Sequence, residues 1–383
     1  MERAVKLNFV RQHNVKVILD LLYTRSYSCL ELAELMQIST AAVNKILKQL
    51  LSLEIVKKEK DNGNRKTVGG QHIRYVISSN NGVLVCVDFT HFKDTLVIND
   101  FNGEELFRKR YNFEYEDSLI FECDIQVVID DIREAMEKIK KDIYCISLCV
   151  PGQIDEDTNA FIITGKFSNV KDDTLYQMFY KAFNCKVIIK NNVQMMAIGE
   201  YAYGNLKSKY NTSIYVYAGY GLASCSLYKG EIISGWRGYS GEIGGNRVNV
   251  VTTLSMNCSI KRIIDRLKDH LETRDVEGLV KAFNEKEVVH QDIINVAKVL
   301  AADIVNMTNC IGADVVVING ESLLFGEEYV ETIRSYLQKY CVTDIKLYTP
   351  MVKEAALKGG IELARKYSIE NILDLKGKCE LSD

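Results

Sequence analysis

The residues best suited to chemistry lie in one stretch, residues 214–245, which reads IYVYAGYGLASCSLYKGEIISGWRGYSGEIGG. Its glycine pair Gly219-Tyr220-Gly221 and its tetrad Gly241-Glu242-Ile243-Gly244 have the composition of a small-molecule site. Glycines at a tight turn let backbone N–H groups approach an anion or a hydroxyl-rich ligand, and an ordinary hairpin turn needs the same residues. Eleven cysteines, unpaired in spacing and set mostly among apolar neighbours, read as buried free thiols and imply no disulfide framework.

The elements that hold this stretch follow from patterning. Residues 214–218 and 224–228 are β-branched, aromatic or small, so the glycine pair joins two strands. Upstream, residues 83–87, 95–98 and 106–111 read as consecutive strands and 120–140 as a helix with Ile125, Val128, Ile129, Ile132, Met136 and Ile139 inward. Strand 144–150, helix 174–183, strand 187–189 and helix 195–203 continue the pattern. After the central stretch come helices 259–270, 276–283 and 291–310, strand 315–318, helix 327–340, strand 345–348 and helix 352–366, with 376–383 as a frayed tail. This alternation predicts mixed sheets covered by helices in two similar α/β halves, with the glycine pair and Asn319-Gly320 at strand ends beside a cleft. Trp236, the single tryptophan, reads first as a core residue, with stacking beside Tyr239 on the face of a hydroxyl-rich ring as the alternative.

The first 78 residues have a different character. A helix over residues 7–23 precedes Ser28, which caps a second helix with Glu31 completing a capping box and Leu30, Leu32, Ala33, Leu35 and Met36 on its apolar side. Ser39 caps a third helix, 40–51, which turns Val43, Ile46, Leu47 and Leu50 inward and Thr40, Ala41, Asn44, Lys45 and Lys48 outward. Two short helices joined by a tight turn, then a strand near 53–60, a basic turn and a return strand at 74–77, outline a winged helix-turn-helix. In that reading Asn44 with Thr40 or Ala41 approaches base edges, Ser39 stands at the DNA-facing helix start, and Lys45, Lys48, Arg65 and Lys66 meet phosphates of double-stranded DNA. A small protein-interaction domain with a solvated basic face is the alternative.

Charge supports the nucleic-acid reading. Residues 1–66 carry 12 Lys and Arg against 7 Asp and Glu, whereas the remaining residues carry 36 against 44, under a net charge of −3. No signal-like apolar segment opens the chain and no apolar run approaches the roughly 18 residues of a membrane span, which points to the cytoplasm and to no membrane partner. At 383 residues and 47% hydrophobic composition the chain holds two or three domains with sizeable cores.

Several segments together resemble the ROK group of repressors and sugar kinases, and specifically its regulators of the xylose-repressor and N-acetylglucosamine-repressor type. They are residues 32–59, Val150-Pro151-Gly152, Phe167 to Asp172, IKNNVQMMAIGE at 189–200, and Gly241 to Gly244. The resemblance implies an α/β chain with an N-terminal winged helix-turn-helix over residues 1–78 and, over 79–383, a two-lobed actin-like ATPase (sugar-kinase-like) body. It also implies a homodimer or homotetramer on an inverted-repeat operator.

Departures from the pattern carry as much meaning. The first phosphate loop of family kinases is glycine-rich, and here it reads Asp88-Phe89-Thr90-His91-Phe92; in the second, only Gly219 and Gly221 remain. Where those kinases place an aspartate as the base for the sugar hydroxyl, this chain has Asn192, whose carboxamide cannot take a proton at neutral pH. Gly245 replaces the histidine of the family's zinc motif, and Cys258 alone stands in the cysteine run, so no metal and no cofactor are expected. Residue-wise transfer leaves Gly152, Asn169, Asn191, Asn192 and Glu242 as an effector site whose amides and carboxylate suit a sugar or sugar phosphate. Local turns or helix caps are the competing roles for the asparagines. The expectation is a carbohydrate-responsive repressor without catalytic activity. Its rivals are a ligand-independent DNA-binding protein with a vestigial cleft and a residual sugar kinase.

Overall fold

The computed structural model describes residues 2–60, 73–79, 81–90, 94–113, 118–163 and 172–379. Contacts divide the chain into two units, one formed by residues 1–148, 174–188 and 361–383, the other by 149–173 and 189–360.

The first unit begins with α1 (Glu2–Thr24), α2 (Cys29–Met36) and α3 (Thr40–Ser52), then the hairpin strands β1 (Val56–Lys60) and β2 (Ile73–Ile77). α2 starts where the sequence places it: Ser28 accepts from the Glu31 N–H at 3.2 Å while the Ser28 N–H donates to Glu31 Oε2 at 2.7 Å. It stops at Gln37, whose left-handed φ of 53° ends the helix, and Ser39 caps α3 by accepting from the Ala42 N–H at 3.2 Å. Leu32, Ala33, Val43, Ile46, Leu47 and Leu50 are buried between these helices. Leu30 and Leu35, expected on the apolar side of α2, are instead 59% and 55% exposed, because an eight-residue helix has only one turn's width of buried face. β1 and β2 pair antiparallel from Val56↔Ile77 to Lys60↔Ile73. Arg65, Lys66 and the rest of the connection between them lie outside the described residues.

Next come β3 (Val83–Asp88), β4 (Asp94–Asp100), β5 (Glu105–Tyr111), α4 (Ser118–Ile139) and β6 (Ile143–Val150). β7 (Gln153–Ile154) and β8 (Phe161–Ile163), which belong to the second unit, form a small pair, and α5 (Thr174–Phe183) and β9 (Lys186–Asn191) follow in the chain. The five-stranded sheet has the order β5-β4-β3-β6-β9. β3 is buried along its whole length, as a central strand with both faces covered must be. The aliphatic residues Ile125, Val128, Ile129 and Ile132 of α4 are buried, in agreement with their period.

The second unit holds α6 (Asn192–Tyr203), β10 (Thr212–Ala218), β11 (Leu222–Tyr228), β12 (Glu231–Ile232), α7 (Leu254–Cys258), α8 (Ile260–Leu267), α9 (Val276–Glu285), α10 (Glu287–Ile311), β13 (Val315–Asn319), α11 (Glu327–Tyr340) and β14 (Lys346–Tyr348). Its sheet has the order β12-β11-β10-β13-β14, in which β10, β13 and β14 run parallel and β11 pairs antiparallel with both β10 and β12. Counting the strands of each sheet in chain order, both have the order 3-2-1-4-5. Ile214, Val216, Val316, Ile318, Ile293, Leu300 and Ile304 lie in one continuous core of strands and helices.

α12 (Ala355–Glu370) begins in the second unit and ends in the first, and α13 (Ile372–Cys379) follows it. The tail expected from residue 376 is therefore helical as far as Cys379; its apolar residues Ile372 and Leu375 lie on one face, a period too short to stand out against the charged end of the chain. Trp236 is 72% exposed rather than in the core, flanked by Tyr239 at 5.4 Å and by Arg237 at 5.3 Å. Of the cysteines, Cys86, Cys145, Cys149, Cys225 and Cys258 are buried and Cys123 and Cys310 exposed. Among the described residues no helix is long and apolar enough to cross a membrane.

Candidate functional site

The Gly152 turn, the start of α6 and the Gly241-Glu242 segment converge within the second unit. Asn191 caps α6 by accepting from the Val193 N–H at 2.7 Å, and its Nδ2 donates to the Gly152 carbonyl at 2.6 Å. Gly152 has φ of +115°, open to glycine alone, so the turn can bend back to that amide. Asn191 is thus a joint between two segments, and Asn192, 7% exposed, follows as the first residue of α6.

Together Gln153, Asn191, Gln194, Ser224, Gly241 and Glu242 line a cavity of about 10 Å³, room for about one water. Gly241 meets the edge of β11 directly: the Ser224 N–H donates to its carbonyl at 2.7 Å, and a Cβ on it would stand 1.9 Å from the Ser224 carbonyl oxygen. Glu242 is exposed at the rim, with no ion pair to a basic side chain among the described residues, and partial burial raises its carboxyl above the usual carboxylate range. Gln153 is 4% exposed, and its Nε2 has no hydrogen-bond partner among the described residues. A buried amide donor left unmade is costly, so it marks a place for an oxygen acceptor.

Sequence reasoning missed Gln153, Gln194 and Ser224. Gln194 carried a signal, since it stands three residues after the Asn191 cap and completes a capping box by accepting from the Asn191 N–H. The wall around them is tied by charge: Lys190 pairs with Glu156, which also accepts from Ser234 Oγ at 3.1 Å, and Arg237 pairs with Asp155. Asn169, the remaining expected member, lies outside the described residues.

The turn Gly219-Tyr220-Gly221 is arranged against an anion. The Gly219 N–H donates to the Gly221 carbonyl at 3.0 Å and is spent within the turn. Above it stands the Glu321 carboxylate, which accepts from the Tyr217 hydroxyl at 2.9 Å and would lie 1.8 Å from a Cβ on Gly219. Phe89, in the other expected phosphate loop, is fully buried in the core. A phosphate brought to Gly219 would meet a carboxylate in place of a free N–H.

Gly245 has open space around its Cα. The loop after it is held by hydrogen bonds: Asn246 Nδ2 donates to Asp303 at 3.0 Å, and Asn249 Oδ1 accepts from the Val251 and Thr252 N–H groups. Cys258 is buried, with its thiol 3.8 Å from the Val296 carbonyl. Among the described residues no group of three or more His, Cys, Asp or Glu is placed to hold a metal.

In the N-terminal region Ser39, Thr40, Ala41, Asn44, Lys45 and Lys48 are all exposed on one side of α3, opposite its buried Val43, Ile46, Leu47 and Leu50. Ser39 Oγ is engaged as the cap. Arg74 steadies the hairpin by donating to Ser26 and Glu31 at 2.8 to 3.2 Å.

Comparison with known proteins places this arrangement. The family model described as "ROK family" matches residues 84–361. A putative xylose repressor from Caldicellulosiruptor sp. (strain Rt8B.4) is 22% identical over 353 residues, covering 85% of this chain and 86% of that one. The DNA-binding transcriptional dual regulator NagC of Escherichia coli (strain K12) is 20% identical over 370 residues, 90% of each chain. Among solved structures, a ROK family transcriptional regulator described as a homolog of the E. coli MLC protein superposes with a TM-score of 0.79 at 16% identity, over 96% of this chain and 98% of its own. The ROK hexokinase from Thermus thermophilus gives 0.62 at 18% identity, over 77% and 99%. The fold is accordingly an N-terminal helix-turn-helix joined to the actin-like sugar-kinase architecture, whose repeated α/β lobe appears as the two sheets of the same strand order. With the family model matching most of its length, the chain belongs to the ROK family.

Proposed function

We propose that this protein is a DNA-binding transcriptional repressor of carbohydrate genes whose operator affinity is set by a sugar or sugar-phosphate effector. The observation that carries the reading is the union, in one chain, of an exposed polar and basic α3 face with a pocket that ends in an unpaired amide, Gln153 Nε2. A relative named a putative xylose repressor over 85% of this chain and one named a DNA-binding transcriptional dual regulator over 90% of it support the regulatory half. In the proposed complex Asn44 with Thr40 and Ala41 reads base edges, Ser39 sets the helix start, and Lys45, Lys48, Arg65 and Lys66 neutralise phosphates. The chain acts in the cytoplasm as a homodimer or homotetramer on an inverted-repeat operator.

For the effector, Gly152, Asn169, Asn191, Asn192 and Glu242 are the proposed contacts, joined by Gln153. The cavity admits about one water, so a sugar ring rests over it with one hydroxyl reaching in to accept from Gln153 Nε2. No phosphoryl transfer is proposed. Asn192 offers no base, and Glu321 beside Gly219 repels the phosphates that a kinase must hold.

The test is to select a duplex from a random-sequence library with the full chain, then measure its affinity with and without xylose, glucose, N-acetylglucosamine and the 6-phosphates of the latter two. A change in affinity with at least one of them is expected. No change with any, together with no thermal shift, sinks the sensor reading; ADP release with any of these sugars overturns the non-catalytic one.

A further inference from the structure

Two sets of contacts meet on one helix. At its start, α12 lies against α6 within the second unit, with backbone meeting backbone: a Cβ on Gly359 would stand 1.8 Å from the Met195 carbonyl oxygen, and one on Gly199 would stand 2.1 Å from the Ala355 carbonyl oxygen. Just before α12, the N–H groups of Met351 and Val352 donate to the buried Glu200 carboxylate at 3.1 to 3.2 Å. With no side chain between them, the two helices have little freedom to slide, because a packed backbone contact has few alternative arrangements. α6 is also the helix whose cap Asn191 and first-turn Gln194 line the proposed effector pocket.

At its other end, within the first unit, α12 grips α1. Arg365, 4% exposed, makes two hydrogen bonds to the buried carboxylate of Glu362, at 2.7 and 2.8 Å. Its remaining nitrogen, Nη1, donates to Asp20 of α1 at 2.9 Å, and its guanidinium lies 4.4 Å from the ring centroid of Tyr23 on the same helix. Lys16 of α1 pairs with Glu370 one further turn along. α1 in turn holds the DNA-facing helix, since Arg11 donates to Gln49 of α3 at 2.6 Å. The planar fork of arginine satisfies both acids at once, which fixes the rotation of α1 about α12 as well as its distance.

We propose that α12 is the element that carries the state of the effector pocket to the DNA-facing helices, with Arg365 and Asp20 as the positioning pair at its output end. This inference rests on the effector-responsive repressor reading given above. The physical warrant is a continuous helix of about 24 Å fastened at one end to the helix that bears the pocket and at the other to the helix that bears α3. A ligand that shifts the first turn of α6 then biases the placement of α1.

The test uses Asp20→Ala in the full chain. Asp20 is 35% exposed and the Arg365–Glu362 pair survives its loss, so the fold is retained. Two measurements are made beside the wild type: the ratio of affinities for the library-selected duplex with and without the sugar that shifts it, and hydrogen exchange of the ligand-free protein. Coupling between distant sites commonly amounts to about 5–150-fold. In Asp20→Ala that ratio is expected to fall to within about two-fold of unity, while effector-free operator affinity and sugar binding stay within about two-fold of the wild type. Asp20→Asn, which keeps an oxygen for Arg365, is expected to give an intermediate ratio. Exchange is expected to quicken in α1, along α12 and in the first turn of α6. A full wild-type ratio in Asp20→Ala, or quickened exchange confined to α1, overturns the proposal. If the wild type responds to no sugar, the repressor-sensor reading falls by itself, and the exchange pattern alone decides whether α12 links α6 to α1.

Discussion

Substituting Gly241 by alanine is the sharpest probe of how the proposed effector pocket is built. Gly241 has φ of +94°, beyond the left-handed helical region that other residues tolerate, and such backbone strain costs about 1–3 kcal/mol. The new Cβ would stand 1.9 Å from the Ser224 carbonyl oxygen, so the segment must move away from β11. That movement breaks the 2.7 Å hydrogen bond from the Ser224 N–H to the Gly241 carbonyl, at about 1 kcal/mol. The sum is about 2–4 kcal/mol, or roughly 4–16 °C in the midpoint of the second unit's unfolding. Gly245→Ala is the matched control: nothing lies within 4 Å of its added Cβ, so its cost stays within about 0.5 kcal/mol. Differential scanning calorimetry of the three proteins reads both numbers. If Gly241→Ala unfolds within 2 °C of the wild type, or if the two variants lose equal stability, the account of a glycine forced by backbone proximity is refuted.

Other expectations follow from single contacts. Ser39→Ala removes the cap of α3 and is expected to cost about 1 kcal/mol, seen as a lower thermal midpoint of the first unit and weaker duplex binding at constant salt. Lys45→Ala and Lys48→Ala are each expected to lower the log–log salt slope of duplex binding by about 0.9, in titrations at several salt concentrations; an unchanged slope removes that lysine from the phosphate contacts. Burial raises the Glu200 carboxyl, opposed by the Val352 and Met351 N–H groups. A raised carboxyl stabilises the fold fully below the ordinary glutamate value of about 4.3 and loses that contribution as pH rises through its folded value. Glu200→Gln, which can still accept from both N–H groups, is therefore expected to gain stability relative to the wild type as pH rises above about 4.3. A difference that does not change with pH refutes this.

Much of the fold is legible in the sequence because its determinants are local. The Ser28 and Glu31 box, the Ser39 cap and the period of Val43, Ile46, Leu47 and Leu50 each act within one or two turns, and all appear where they were read. All strands of the two sheets but β12, whose two residues Glu231 and Ile232 are too short a run to read, follow for the same reason, being short apolar runs bounded by turns. The site is less legible because it is made across the chain. Glu321 reaches Tyr217 across 104 residues, and nothing near Glu321 in sequence foretells a carboxylate over Gly219. Gln153 is one polar residue after a Pro-Gly turn, and only burial exposes its unpaired amide. Trp236 shows the converse, because a large aromatic residue reads as core wherever it falls, and here a turn with left-handed Arg237 turns it outward.

The clasp of Asp20 by Arg365 also sets a clock. The two residues are 345 positions apart, so on a ribosome adding about 5–20 residues per second, α1 emerges roughly 17 to 70 s before its partner exists. During that interval the DNA-facing helices have been made but their anchor has not. A chain that stops short of α12 leaves Asp20 and the Tyr23 face of α1 without Arg365. Completion of the last helices, rather than folding of the first, is the event that supplies Asp20 with its partner.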